Sequence, residues 1–265
     1  MRIGDKQCRF RGAILLLFSG VVFFAAAGPA AQEIGSSDAA SARQYSACMQ
    51  LAHKDARKAE AAASKWHARG GGVPAMHCLS VALLAMGYYQ QAAENMEALA
   101  AGDGKLSAAL RGNLYGQAGN AWTIAGKPER AYRVQSAALK LKPDDADLLI
   151  DRGITLAGSA RYWEALDDLN RALEIAPGRA DALIFRATAW RNLDSLELAQ
   201  EDISRALTLA PDSADALLER GMIAARKGDP ATARADWLRV IELNSAGPLA
   251  DAARASLERL DLKLR

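Results

Sequence analysis

The sequence predicts an all-α chain, an array of stacked helix–turn–helix hairpins, and three residue ladders predict it. Ala131, Ala165, Ala199 and Ala233 are each 34 apart; Pro143, Pro177 and Pro211 keep that spacing, and so do Gly119, Gly153, Ala187 and Gly221. One period shared by three independent ladders defines four units, 112–145, 146–179, 180–213 and 214–247. Such a period marks a repeat architecture in which each unit buries its apolar face against its neighbours.

Before the array, Arg2, Lys6, Arg9 and Arg11 stand against Asp5, and an uncharged run, AILLLFSGVVFFAAA (13–27), leads into GPAAQ. A basic start, an apolar stretch and a small-residue exit predict a secretory signal over 1–31, cleaved between Ala27 and Ala31. The run is shorter than the roughly twenty apolar residues that a retained span needs. The expected product is exported, periplasmic in a Gram-negative bacterium, with no membrane span after signal removal. The whole chain is formally +2, and the signal accounts for a net +3 of that, so the remainder is close to −1. Without net positive charge or a basic stripe, nucleic acid and anionic membrane are excluded as main partners.

Residues 32–111 are expected to form degenerate N-terminal hairpins. SARQYSACMQLAHK and DARKAEAAASKWHARG predict two helices, with Asp55 as an N-cap. ALLAMGYYQQAAENMEALA (82–100) predicts a further hairpin that begins near Val73, with Gly87 in its turn. Extra residues within AAGDGKLSA then interrupt the period before 112.

Within each regular unit, a first helix, a break and a second helix follow from the periodicity. Pro230 suits the first turn of a second helix, where its missing N–H costs nothing. Pro143, Pro177 and Pro211 end second helices. The small residue at position 8 and the alanine at position 20 let two backbones approach where the helices cross. Around them interlock Tyr115, Leu149, Leu183 and Leu217 at position 4, with Trp122, Leu156, Trp190 and Ala224 at position 11. PLADAARASLERLDLKL (248–264) places Leu249, Ala253, Leu257 and Leu260 on one stripe, a closing helix that presents charge to solvent.

In this pattern the chain resembles the tetratricopeptide repeat family. Gly153, Ala165, Ala172 and Pro177 match that family at positions 8, 20, 27 and 32 of the unit, and the resemblance is strong over 112–247. Gln135 at position 24, Val240 at position 27 and Ser245 at position 32 depart from it. The resemblance implies a right-handed superhelical solenoid, with a degenerate N-terminal cap and a C-terminal capping helix at 248–265.

HARGGGVPAMHC (67–78) is the one stretch that suggests chemistry. A phosphate loop would need lysine and serine or threonine directly after the glycines, opening a helix behind a strand. VPAMHC follows instead, so an inter-helix turn with Pro74 starting a helix is expected. His53, His67, His77, Cys48 and Cys78 fall within 31 residues. Zinc needs ligands that converge, whereas Cys48 and His53 lie about 140° apart on a helix and the neighbours His77 and Cys78 about 100°. A Cys48–Cys78 disulfide between successive first helices is preferred over metal ligation and over free thiols. No cofactor is expected. All histidines precede residue 79, and no HExxH or GxSxG pattern occurs, so the chain is expected not to be an enzyme. Asp144–Asp145 and Asp167–Asp168 are taken as solvated charge. The ladder Arg152, Arg186, Arg220 is expected to pair across units, Asp168 with Arg186 and Asp202 with Arg220.

Positions 2, 5, 9 and 12 of the first helices form a stripe apart from the hairpin contact. The resemblance implies that this stripe is a concave, peptide-holding surface. Its partner groove is assigned to Asn120, Ile150, Ile154, Ile184, Thr188, Arg191, Leu218 and Met222. The lysine, asparagine and arginine set with which chaperone-binding members clamp a terminal carboxylate is matched only at Asn120. The expected role is an adaptor or scaffold for a protein or peptide segment. The alternative is a structural subunit of a cell-envelope complex with the apolar stripe as a permanent interface.

Overall fold

A computed structural model of the chain describes residues 39–102 and 106–263, and among these it holds thirteen α-helices and no strand. The expected signal at 1–31 lies outside the described residues. The helices are α1 Ala39–Lys54, α2 Ala56–Ala68, α3 Gly72–Ala85, α4 Tyr89–Ala101, α5 Ala108–Ile124, α6 Pro128–Leu141 and α7 Ala146–Gly158. They continue as α8 Tyr162–Ile175, α9 Ala180–Asn192, α10 Leu196–Leu209, α11 Ala214–Lys227, α12 Pro230–Leu243 and α13 Pro248–Lys263. The described residues divide into two units, 39–211 with α1–α10 and 212–263 with α11–α13.

In the first unit the helices pair as hairpins α1–α2, α3–α4, α5–α6, α7–α8 and α9–α10, and successive first helices touch: α1 with α3, α5 with α7, α7 with α9. Local chemistry sets the ends. The Oδ1 of Asp55 accepts from the backbone N–H of Lys58 at 3.1 Å and caps α2; Ser107 and Asp145 cap α5 and α7 in the same way. Such caps satisfy N–H groups that the helix leaves unpaired. Gly70 at φ 88° carries the turn out of α2, and Gly71 sits where a Cβ would come within 2.5 Å of the Trp66 ring, so the HARGGG stretch is a tight inter-helix turn.

The position-8 ladder makes the hairpins possible. A Cβ on Gly119 would lie 2.4 Å from Gln135 Cγ, and one on Gly153 3.0 Å from Leu169 Cγ. Position 8 therefore receives the position-24 side chain of its own hairpin, as expected for close helix crossing. In the second unit, α11 and α12 repeat the arrangement, with Trp237 against Gly221 at 2.4 Å from a would-be Cβ. The Trp237 indole N–H donates to the Leu218 carbonyl at 3.3 Å, and α13 packs on α12 and α11.

The arginine ladder corrects the cross-unit pairing. Arg152 grips Asp168 through Nε and Nη2 at 2.7 and 2.6 Å, Arg186 grips Asp202 at 2.7 and 2.6 Å, and Arg220 grips Asp236 at 2.8 and 2.6 Å. Each pair lies within one hairpin, because position 7 of a first helix and position 23 of its own second helix face each other beside the crossing. The link to the preceding hairpin is made by the third guanidinium nitrogen: Arg152 Nη1 donates to Ser136 Oγ at 3.1 Å and Arg186 Nη1 to Asn170 Oδ1 at 2.9 Å. One planar guanidinium thus holds a carboxylate bidentately and sets the stacking register.

The cap is tied by chemistry that the regular units lack. Cys48 on α1 and Cys78 on α3 are bonded, with their Cα atoms 6.2 Å apart. Next to them Tyr45, His77 and Gln117 form a chain: Tyr45 O–H to His77 Nδ1 at 2.8 Å, and His77 Nε2–H to Gln117 Oε1 at 2.9 Å. Both ring nitrogens are satisfied in the neutral ring, and burial holds the His77 pKa below the usual imidazole value despite the opposing Gln117 bond. A depressed folded-state pKa means that the unfolded chain binds the proton more tightly. Stability from His77 is therefore complete above the ordinary imidazole pKa near 6.5 and declines as pH falls through it. Thermal melts between pH 8 and pH 5 are expected to show this loss in wild type and a smaller one in His77→Gln. Equal slopes in the two proteins would contradict the assignment.

Candidate functional site

The expected groove residues divide by position. At position 5, Ile150 and Ile184 are 3% and 6% exposed, and Thr188 at position 9 is 6% exposed. These side chains are packing: the Thr188 hydroxyl turns back to the Ile184 carbonyl at 3.0 Å. Asn120, Ile154 and Arg191, at positions 9 and 12, are half-buried and keep accessible surface. In the second unit Leu218 is buried and Met222 half-buried. Position 5 is covered because, where first helices stack, it faces the seam between them; positions 9 and 12 are mixed, with Thr188 and Ala157 buried while Asn120, Ile154 and Arg191 keep surface.

Around the accessible positions of the first unit runs a series of polar contacts. Asn120 on α5 donates from Nδ2 to Asp151 Oδ2 on α7 at 2.7 Å, and the hydroxyls of Thr123 and Thr155 meet at 2.9 Å. Lys142 donates to Asn113 Oδ1 at 2.7 Å and pairs with Asp145. Arg179 bridges Asp147 and Asp181. Among the described residues, no cation forms an ion pair with Asp151. Desolvation pushes its pKa up to about 7, with the charges of Asp147 and Asp145 adding to the rise and the Asn120 bond and Arg179 opposing it. Sequence reasoning passed over this residue, which sits at position 6, although Asp147, Asp151 and Ile154 are spaced four and three apart and so share one helix face.

Of the two acidic pairs expected as solvated charge, Asp144–Asp145 lies at the surface, but Asp168 is buried, which corrects that expectation. Asp144 pairs with Arg171 at 2.6 Å, Asp145 caps α7, and Asp168 is the partner of Arg152. Among the described residues, no group of three His, Cys, Asp or Glu side chains is placed to hold a metal ion. No described helix is long and apolar enough to cross a membrane.

A family model described as tetratricopeptide repeat matches residues 125–189. No curated protein matches the sequence. Among solved structures, the chain is similar to MamA (41-end) from Desulfovibrio magneticus RS-1, 25% identical over 64% of this chain and 93% of that one, with a TM-score of 0.55. It shares its fold with the APC/C hetero-tetramer Cut9–Hcn1, at 15% identity over 83% of this chain and 42% of that one, TM-score 0.65. It also shares it with a thermophilic repeat protein in Thermus thermophilus, at 20% identity over 58% and 82% of the two chains, TM-score 0.53. The fold is that of a protein-interaction scaffold, in a family that is generally non-enzymatic. With its 34-residue ladders, the hairpins they fold into and the family model that matches 125–189, this chain carries tetratricopeptide repeats.

Proposed function

We propose that the protein is an exported, non-enzymatic adaptor that holds an extended protein segment along its first helices. The observation that carries this reading is the division of the stripe. Position 5 seals the seam between helices, while Asn120, Ile154 and Arg191 remain accessible beside it. An apolar side chain flanked by hydrogen-bonding groups is the mixture that fixes and orients a peptide. Export, with a periplasmic location in a Gram-negative cell, rests on the basic and apolar leader over 1–31, and the Cys48–Cys78 bond suits an oxidising compartment.

The test is selection of 12-residue peptides from a random display library on the chain from residue 32 onward. Ile154→Glu is expected to abolish capture of the selected peptides and to leave the melting temperature within a few degrees of wild type. Ile184→Asp, by contrast, is expected to unfold the α9–α10 hairpin, because it places a carboxylate at a position that is 6% exposed. Capture that survives Ile154→Glu would remove the groove from this face.

A further inference from the structure

Among the described residues three aspartates are buried on the hairpin walls, and the half-buried Asp151 on α7 is held differently from them. Asp168, Asp202 and Asp236, each at most 6% exposed, receive a bidentate arginine. Asp151 receives a single neutral hydrogen bond, from Asn120 at 2.7 Å, and no described cation forms an ion pair with it. The nearby bases are already engaged: Arg179 by Asp147 and Asp181, Lys142 by Asp145 and Asn113. Asn120 is held in turn by Gln135, which is wholly buried behind Gly119 and donates to Asn120 Oδ1 at 3.4 Å. The amide is thereby fixed with its NH₂ group toward Oδ2 of the carboxylate, and Asp151 as a whole is half-buried rather than sealed.

A half-buried carboxylate that has a neutral hydrogen bond but no counter-charge gains most when a cation arrives. We propose that Asp151 is the recognition point for a lysine or arginine of the bound segment, which completes on binding the ion pair that the fold supplies at Asp168, Asp202 and Asp236. This rests on the groove reading above. Asn120 orients the carboxylate, Asp147 and Asp145 add negative potential, and Ile154 one turn along α7 takes the apolar neighbour of the basic residue. Buried charge complementarity of this kind selects partners more than it adds affinity.

The same display library at pH 8 tests it. Peptides selected by wild type are expected to carry lysine or arginine at one fixed register beside an apolar residue. For a selected peptide, replacing that lysine with norleucine, or Asp151 with Asn, is expected to weaken binding by about tenfold or more. Glu174→Gln, an equal charge change on an exposed second-helix residue, is expected to leave binding unchanged. Asp151→Asn removes a half-buried charge that has no counter-charge, so its melting temperature at pH 8 is expected to equal or exceed that of wild type; a lower one would make Asp151 structural and overturn the proposal. Selected peptides without a basic preference, bound equally by Asp151→Asn, would overturn it and leave the groove standing. Recovery of no peptide at all would overturn both.

Discussion

Arg186→Met is expected to destabilise the chain by about 3–5 kcal/mol, since it strands the Asp202 carboxylate inside the α9–α10 hairpin. Asp202 is 4% exposed, and both of its oxygens are held by Arg186. The loss comes from a buried charge left without its counter-charge rather than from the worth of the pair itself, so removing both members should recover most of it. The double variant Arg186→Met, Asp202→Leu is expected to approach wild type in urea unfolding. A single variant as stable as wild type would show that water reaches Asp202 and that the pair is a surface contact. The same logic applies at Arg152 and Arg220, though a side chain 35% exposed at Arg220 should give a smaller loss.

Reduction of Cys48–Cys78 carries a comparable effect confined to one end. The bond spans a sequence separation of 30, and the chain-entropy relation gives roughly 3–4 kcal/mol for a loop of that size. The cap needs it, because α1 and α2 are poor matches to the repeat and pack only toward α3. Hydrogen exchange is expected to show lost protection across α1 and α2 when the protein is reduced, or in Cys48→Ser, while α7 and α9 keep theirs. Equal protection before and after reduction would mean that Tyr45, Trp66 and their neighbours hold the cap unaided.

The hairpins were legible from the sequence because their determinants are local and periodic. Gly119, Gly153 and Gly221 recur where a Cβ would strike the partner helix, and a period of 34 exposes them directly. The arginine pairing was not legible, since a period locates Arg186 and Asp202 on their helices but leaves open which neighbouring aspartate each guanidinium meets. For the groove, periodicity grouped positions 2, 5, 9 and 12 on one face of α5, α7 and α9 but could not separate the buried residues of that face, such as Ile150, Ile184 and Thr188, from the accessible ones. That separation depends on how closely the first helices stack, which is a tertiary quantity. Asp151 was hidden for the same reason. An aspartate at position 6 is ordinary in a sequence, and only the packed structure shows it half-buried beside Asn120 with Arg179 and Lys142 engaged by other carboxylates.

The central claim is that the partner lies along the first helices. Photo-crosslinking a library-selected peptide to the protein, with the adducts mapped by mass spectrometry, tests this most directly. The account predicts adducts in α5 and α7, around Asn120, Asp151 and Ile154. Adducts confined to the second helices, or to the exposed Trp163 at the start of α8, would contradict it.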